Sequence, residues 1–465
     1  MITKSTAIEV LNVALSTGAD FAEIYLEEDD QTTIQMDNGK VESCDDTLTR
    51  GAGIRLLKDL RSVYGYTNNL TRNGLLKLAK ELSASFDSER IKEVTSITKV
   101  RTGKKHLPKI KYSDFPREEL IAMLAKSNDA CLAYDEKIVR CQITFAFNYK
   151  TVEIFNSDGK QFNDVHSRGR YTVVATARDE NGIETFHNRP GAQKGMEYFL
   201  DEIDMVEQAK DAAKSALTLL GAKECPSGKM TVIIGNAFGG VIFHEACGHS
   251  LEASSVSKGL SVFSGKKGQK IASDIVSAVD DGTIEGGWGS GNVDDEGNPT
   301  ARNVLIKNGI LTSYLVDNFN GRRMGEPGNG ACRRESYRYE PTSRMSNTFI
   351  LNGKSTPEEI IANTEYGLYA KSMGGGSVNP ATGSFNFAVN EGYIVENGKI
   401  SYPVKGATLI GSGSEVLLNI DMVGNDLVRA QGMCGAASGS IPADVGEPTI
   451  RVQNVTVGGR GGTVK

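Results

Sequence analysis

Apolar residues three and four apart in "AIEVLNVALS" predict an amphipathic helix near the N-terminus. "FAEIYLEEDDQTTIQMDNGKVESC" then alternates as strands do and predicts a hairpin turning at Asn38-Gly39. "NGLLKLAKELSAS" reads as a second helix. "SDFPREELIAMLAKSNDACLA" reads as a third, with Ser113 or Asp114 as cap, Pro116 early and Glu118-Glu119 in the first turn. Strands follow in "QITFAFNYKTVEIFNSDGKQFNDV" and "GRYTVVATARDENGIETFH", with turns at Asp158-Gly159 and Asn181-Gly182. A further helix in "DMVEQAKDAAKSALTLLGA" ends at Gly221.

"KECPSGK" breaks this pattern and predicts a boundary at residues 222–229. Beyond it the chain is mostly β, with hairpin turns at Asn308-Gly309 and Asn397-Gly398. One helix is well marked in "STPEEIIANTEYGLYA": Thr356 caps it, Pro357 opens it, and Glu358-Glu359 follow. The expectation is an α+β protein of two domains with antiparallel sheets. Residues 1–223 form an N-terminal α+β domain. Residues 229–465 form a β-rich domain carrying a metal-binding helix.

Composition narrows the function. The chain has 465 residues, more than one ordinary core needs, and a net charge of −6. That balance argues against a large nucleic-acid or anionic-membrane surface. No run of apolar residues is long enough to predict a membrane span. The N-terminus reads as an amphipathic helix and not as a signal peptide. The seven cysteines are odd in number and scattered, which predicts a reduced, cytoplasmic protein.

The chain has five histidines, and two of them stand in "HEACGH". In an ideal α-helix residues five apart lie ~140° around the axis, so His244 and His249 would point to different partners. A π-bulge or break near Gly248 would bring them together. Imidazoles are good zinc ligands, and a glutamate beside the first, here Glu245, can deprotonate a metal-activated water. A third ligand is not fixed by spacing. Glu252, Cys247 and Cys434 (in "AQGMCGAASGSIP") all remain candidates. The alternative is a pair of ordinary structural histidines. In "NGACRRESYRYEP", Arg333 and Arg334 offer donors for a peptide carbonyl or a C-terminal carboxylate; a solvated or salt-bridged loop is the plainer reading. No phosphate loop or G-x-S-x-G element occurs.

"HEACGHSLEA", "GRRMGEPGNGACRRESYR", "GGGSVNPATGSFNF", "PVKGATLIGSG", "MVGNDL", "MCG" and "VGEPTIRVQNVTVGG" span nearly all of the second half. In these stretches the chain resembles the TldD/PmbA family of metallopeptidases, on its TldD branch. The resemblance implies one Zn2+ per chain held by His244, His249 and Cys434, with Glu245 as general base. It also implies peptide substrates, unfolded or cut from precursors, and a dimer of one chain or with a PmbA/TldE-type sister. Two departures stand out: "AASGSIP" after Cys434-Gly435, and Cys332 directly before Arg333, a rival thiol. A non-catalytic metal- or peptide-binding subunit, or a regulator of another protein, is the competing expectation. Substrate identity, the need for a sister subunit and the metal used in the cell are not legible.

Overall fold

The computed structural model of the chain describes residues 2–180, 182–379 and 381–463. Two long hairpins organise the first half. Phe21–Asp37 pairs with Lys40–Lys58, and Ile138–Asn156 pairs with Lys160–Asp179. They join through the antiparallel pair Phe21–Asp37 with Ile138–Asn156 inside an eight-stranded sheet. The first hairpin turns where expected: Asn38 and Gly39 take φ of 46° and 80°, the left-handed conformation that tight turns demand. Of the turn at Asn181-Gly182, Asn181 lies outside the described residues.

Helices cover this sheet through two apolar clusters. Lys4–Ala14 and Arg72–Ser83 bury Leu11, Leu15, Leu75 and Ala79 against Ile24 and Ile54. Arg117–Leu132 and Met205–Leu220 bury Leu124, Ala212 and Ala216 around Phe145 and Tyr171. Neither Ser113 nor Asp114 caps the third helix. Both lie in a separate 3-10 turn, and Pro116, extended at φ −60° and ψ 125°, occupies the cap without a side-chain bond. The fourth helix is capped by Asp204 and ends at Gly221 as the sequence indicates.

In the second half Gly228–Ile234 runs parallel to Tyr366–Val378 and antiparallel to Ile450–Gly458. Thr408–Ser412 and Ser384–Glu396 continue the sheet, and Ser384–Glu396 returns to Tyr366–Val378, so five strands close on themselves. Closure removes free edges. The helix at Thr356 has its full capping box but stops at Ala362, because the following residues join the barrel from Tyr366. A six-stranded sheet lies beside the barrel and ends in the hairpin Val428–Ala436 and Gly439–Glu447. The largest apolar cluster, including Phe243, Phe387, Leu409 and Ile441, fills the space between them. The fold is α+β, with mostly antiparallel sheets, as the pattern predicts.

The two halves meet through buried ions. Arg55 pairs with Glu23 at 3.0 Å and with Glu296, and Arg334 pairs with Glu23 at 2.8 Å. This cluster fixes how the second half sits on the first-half sheet.

Candidate metal centre

Strand Gly228–Ile234 delivers the chain to Asn236, which donates to the Asp426 carbonyl and does not cap a helix. A 3-10 turn, Ala237–Gly240, leads into the short helix Val241–Ala246. The helix breaks at Cys247 (φ −124°, ψ −51°), and a second 3-10 turn, Gly248–Leu251, carries His249. Packing explains the break. A Cβ on Gly248 would lie 2.0 Å from Met345 Sδ, and one on Gly240 would lie 2.4 Å from the Gly446 backbone. Both glycines let the segment press into its neighbours. The break takes the place of a π-bulge and swings His249 toward His244, with ring centroids 5.2 Å apart and planes at 89°.

Cys434 reaches the same point from the hairpin. Residues alternate across a strand, so Cys434 and its partner Ile441 face the core while Met433 and Pro442 face away. The Cys434 Sγ lies 3.2 Å from Nε2 of His244 and 3.2 Å from Nε2 of His249. The three ligand atoms lie within 4.8 Å of one another, and all three residues are nearly or fully buried. Arg344, fully buried, donates to the Cys434 carbonyl, to Ser438 Oγ and to the Gly439 carbonyl, which holds the hairpin in place.

Around this triad the polar partners are incomplete. Glu252 accepts from His249 Nδ1 at 3.1 Å and lies 3.7 Å from Arg344 Nε. It therefore orients a ring and does not join the donor set. His244 Nδ1 is buried with no partner. The Glu245 Oε2 stands 3.6 Å from His249 Nε2. Burial raises the Glu245 carboxyl, against the opposing pull of His244 and His249. Burial also opposes ionisation of Cys434, but the two imidazoles outweigh it and draw the thiol down to about 3. His249 is raised well above its ordinary value: burial works against this, and Glu252 and Cys434 prevail. The thiolate of Cys434 is held by the protons of the two imidazoles, and a divalent cation bound at Sγ and the two Nε2 atoms would take their place. Two nitrogens and one sulfur, with a carboxylate alongside, fit a zinc site with one open position.

The other expected residues fall elsewhere. Cys247 points into the apolar cluster, and burial pushes its thiol up. Cys332 is buried among Glu296, Asp317 and Asp294, so burial and these carboxylates raise it. Arg334 is not placed to clamp a peptide: it is fully buried, tied to Glu23 and the Asp295 carbonyl, and stacked 4.2 Å over Tyr25. Arg333 donates to the carbonyls of Met345 (2.8 Å) and Pro442 (2.6 Å), on the hairpin face turned away from Cys434. Arg344 and Met345, which shape the centre, carry no motif. An arginine inside the otherwise uncharged "TSRMSNTFIL" was the one available signal.

A buried His-His-thiolate cluster with an adjacent carboxylate has the donor set of a metallohydrolase-type centre. Comparison with known proteins agrees. Residues 22–86, 110–220 and 227–459 match, in order, PmbA/TldA metallopeptidase domain 1, its central domain and its C-terminal domain. A metalloprotease TldD homolog from Haemophilus influenzae is 32% identical over 466 residues, covering 98% of this chain and 97% of that protein. Another from Buchnera aphidicola is 31% identical over 448 residues, covering 95% and 93%. The crystal structure of TldE from Thermococcus kodakarensis shares the fold, with a TM-score of 0.77 at 18% identity over 97% of this chain and 99% of that one. The chain belongs to the PmbA/TldD family of metallopeptidases, on its TldD side.

Proposed function

We propose that His244, His249 and Cys434 hold one Zn2+ and that Glu245 is the general base of peptide-bond hydrolysis. The observation that carries this reading is the convergence of two Nε2 atoms on the Cys434 sulfur, each at 3.2 Å, beside a carboxylate. Bound Zn2+ supplies Lewis acidity, polarising the scissile carbonyl and acidifying water. Glu245 takes the proton of the attacking water at Oε2 and passes it to the leaving amine. Its raised affinity for a proton suits both transfers. Glu252 holds His249 through Nδ1 and keeps Nε2 turned to the centre.

Residues 229–465 act in this reading as the catalytic domain and residues 1–223 as a separate α+β domain. The substrate is an unfolded or extended peptide, including precursor segments. Burial supports this: Cys434 is 5% exposed and His249 9%, so a folded surface does not reach them. The family resemblance and the shared TldE fold support a dimer, of one chain or with a TldE-type sister. No described helix is long and apolar enough to cross a membrane, and action in the cytoplasm is part of the same proposal.

The test is metal analysis together with cleavage of an unfolded polypeptide by the purified chain, alone and with a sister subunit. Glu245→Gln should retain roughly stoichiometric zinc and lose about 100- to 10,000-fold in rate. Cleavage by Glu245→Gln at the unmodified rate would overturn the reading and favour a non-catalytic role.

A further inference from the structure

A cavity of about 390 Å³ lies between the first-half sheet and the loops of the second half, apart from the metal centre. Four arginines line it: Arg334 is already paired with Glu23, and the other three are Arg168 and Arg170 from strand Lys160–Asp179 and Arg333 from Cys332–Arg333. Arg168 and Arg170 are two residues apart and so share one face of their strand. Arg168 is 7% exposed. Its Nε donates to the Trp288 carbonyl at 2.9 Å and its Nη2 lies 3.4 Å from His166 Nδ1. Arg333 bonds only carbonyls through Nη1. Arg170 lies 4.9 Å over the Trp288 ring, and its Nε has no acceptor.

Among the described residues, none of the three is closed by an ion pair. Their neighbour Arg334 shows the alternative, a guanidinium of the same burial matched by Glu23. A buried charge without an ion-pair partner is costly, even with Asp29, Asp164 and Asp295 acting on Arg168 from a distance. The crowding is felt within the cluster: burial first, then Arg333, draw Arg168 down to about 9.

We propose that this cavity is a binding site for a small organic monocarboxylate, clamped by Arg168 and Arg333. Guanidinium forks match a carboxylate, and two of them face one space here. Phe147, Trp288 and Met433 on the walls accept a hydrocarbon body. Asp29, Asp294, Asp295 and Glu335 also border the cavity, beside Lys150, which disfavours a dianion such as phosphate. The C-terminal residue of a short peptide has the required chemistry, and the volume lies in the range of small-molecule sites. Met433 and Pro442 form part of the wall from the hairpin that presents Cys434 on its other face, so the ligand would rest against the back of that hairpin. The proposal does not depend on which metal the centre holds.

Titration calorimetry on the full chain tests it, with N-acetyl-leucine, N-acetyl-leucinamide and inorganic phosphate as probes. Trp288, the sole tryptophan, gives a second readout by fluorescence. Saturable binding of N-acetyl-leucine is expected, with the amide and phosphate each at least about tenfold weaker. Arg168→Gln should weaken the carboxylate about tenfold or more and leave zinc content unchanged. Should that variant fail to fold, the acid-against-amide comparison on the unmodified chain decides alone. No saturable binding, equal binding of acid and amide, tighter binding of phosphate, or a folded Arg168→Gln chain that binds normally would each overturn the proposal.

Discussion

Two buried clusters in this chain treat charge differently. At the junction of the halves, Arg55, Arg334, Glu23 and Glu296 lie within ion-pair distance of one another, each at most 1% exposed. Every charge there meets its opposite inside the protein. At the candidate metal centre, Cys434, Glu245 and Glu252 stand beside Arg344 and two imidazoles, and His244 Nδ1 finds no partner. The first arrangement pairs every charge, though Arg55 Nε and Nη1 and Arg334 Nε find no acceptor, and it holds the two halves together. The second gathers two imidazoles and a thiolate at one point, where an added cation would take the place of the protons the imidazoles share with the sulfur. Burial alone therefore does not mark a functional site; the convergence of metal-ligating atoms is the further sign.

The difference can be broken at either cluster. Cys434→Ala or His249→Ala removes a donor that nothing else replaces. Each should lose stoichiometric zinc and at least about a thousandfold in peptide cleavage, with little change in folded content by circular dichroism. Retained zinc in Cys434→Ala would move the third ligand elsewhere. Arg55→Ala strands the buried Glu296 and leaves Glu23 to Arg334 alone, and should destabilise the chain by about 3–5 kcal/mol in urea unfolding, with metal content unaffected in the folded fraction. A loss below about 1 kcal/mol would show that the junction is hydrated and not closed.

Smaller effects sharpen the contrast. Glu252→Gln keeps an acceptor for His249 but removes one charge. It should weaken zinc affinity by about 10- to 100-fold in chelator competition. An unchanged affinity would deny Glu252 its orienting role. Glu447 lies next to Gly239 near the metal-bearing helix, fully buried, with both carboxylate oxygens unpartnered. Burial, then Asp426, raise its carboxyl well above the ordinary range. The folded state thus keeps a proton that the unfolded chain releases above about pH 4.3. Its contribution to stability is full below that pH and falls as pH rises through the raised folded value, with a slope of at most about 1.4 kcal/mol per pH unit. Glu447→Gln should flatten the profile of urea stability from about pH 5 to about pH 8. Parallel profiles for the two chains would contradict this.

What the sequence reveals follows the range of the forces involved. Asn38, Asn308 and Asn397 sit at positive φ in hairpin turns, and Thr356 completes a capping box; both are settled within four residues and are readable as such. The pair in "HEACGH" is equally local. Cys434 lies 190 residues from His244, so spacing alone left it level with other thiols, and only the family resemblance singled it out. The helix break falls at Cys247 because Met345 presses on Gly248, a contact that no local pattern announces. Arg334 looked available in its loop, yet Glu23, 311 residues away, draws it into the junction. Barrel closure is hidden for the same reason: nothing within Tyr366–Val378 says which strands will flank it.

The central claim is that two imidazoles and one thiolate hold the zinc of this chain. Zinc-edge X-ray absorption on the purified protein, with Cys434→Ala beside it, reads this directly. The account predicts nitrogen scatterers at about 2.0 Å and a single sulfur at about 2.3 Å, the sulfur vanishing in the variant. A shell of nitrogen and oxygen alone in the unmodified chain, or a sulfur signal that persists without Cys434, would contradict it.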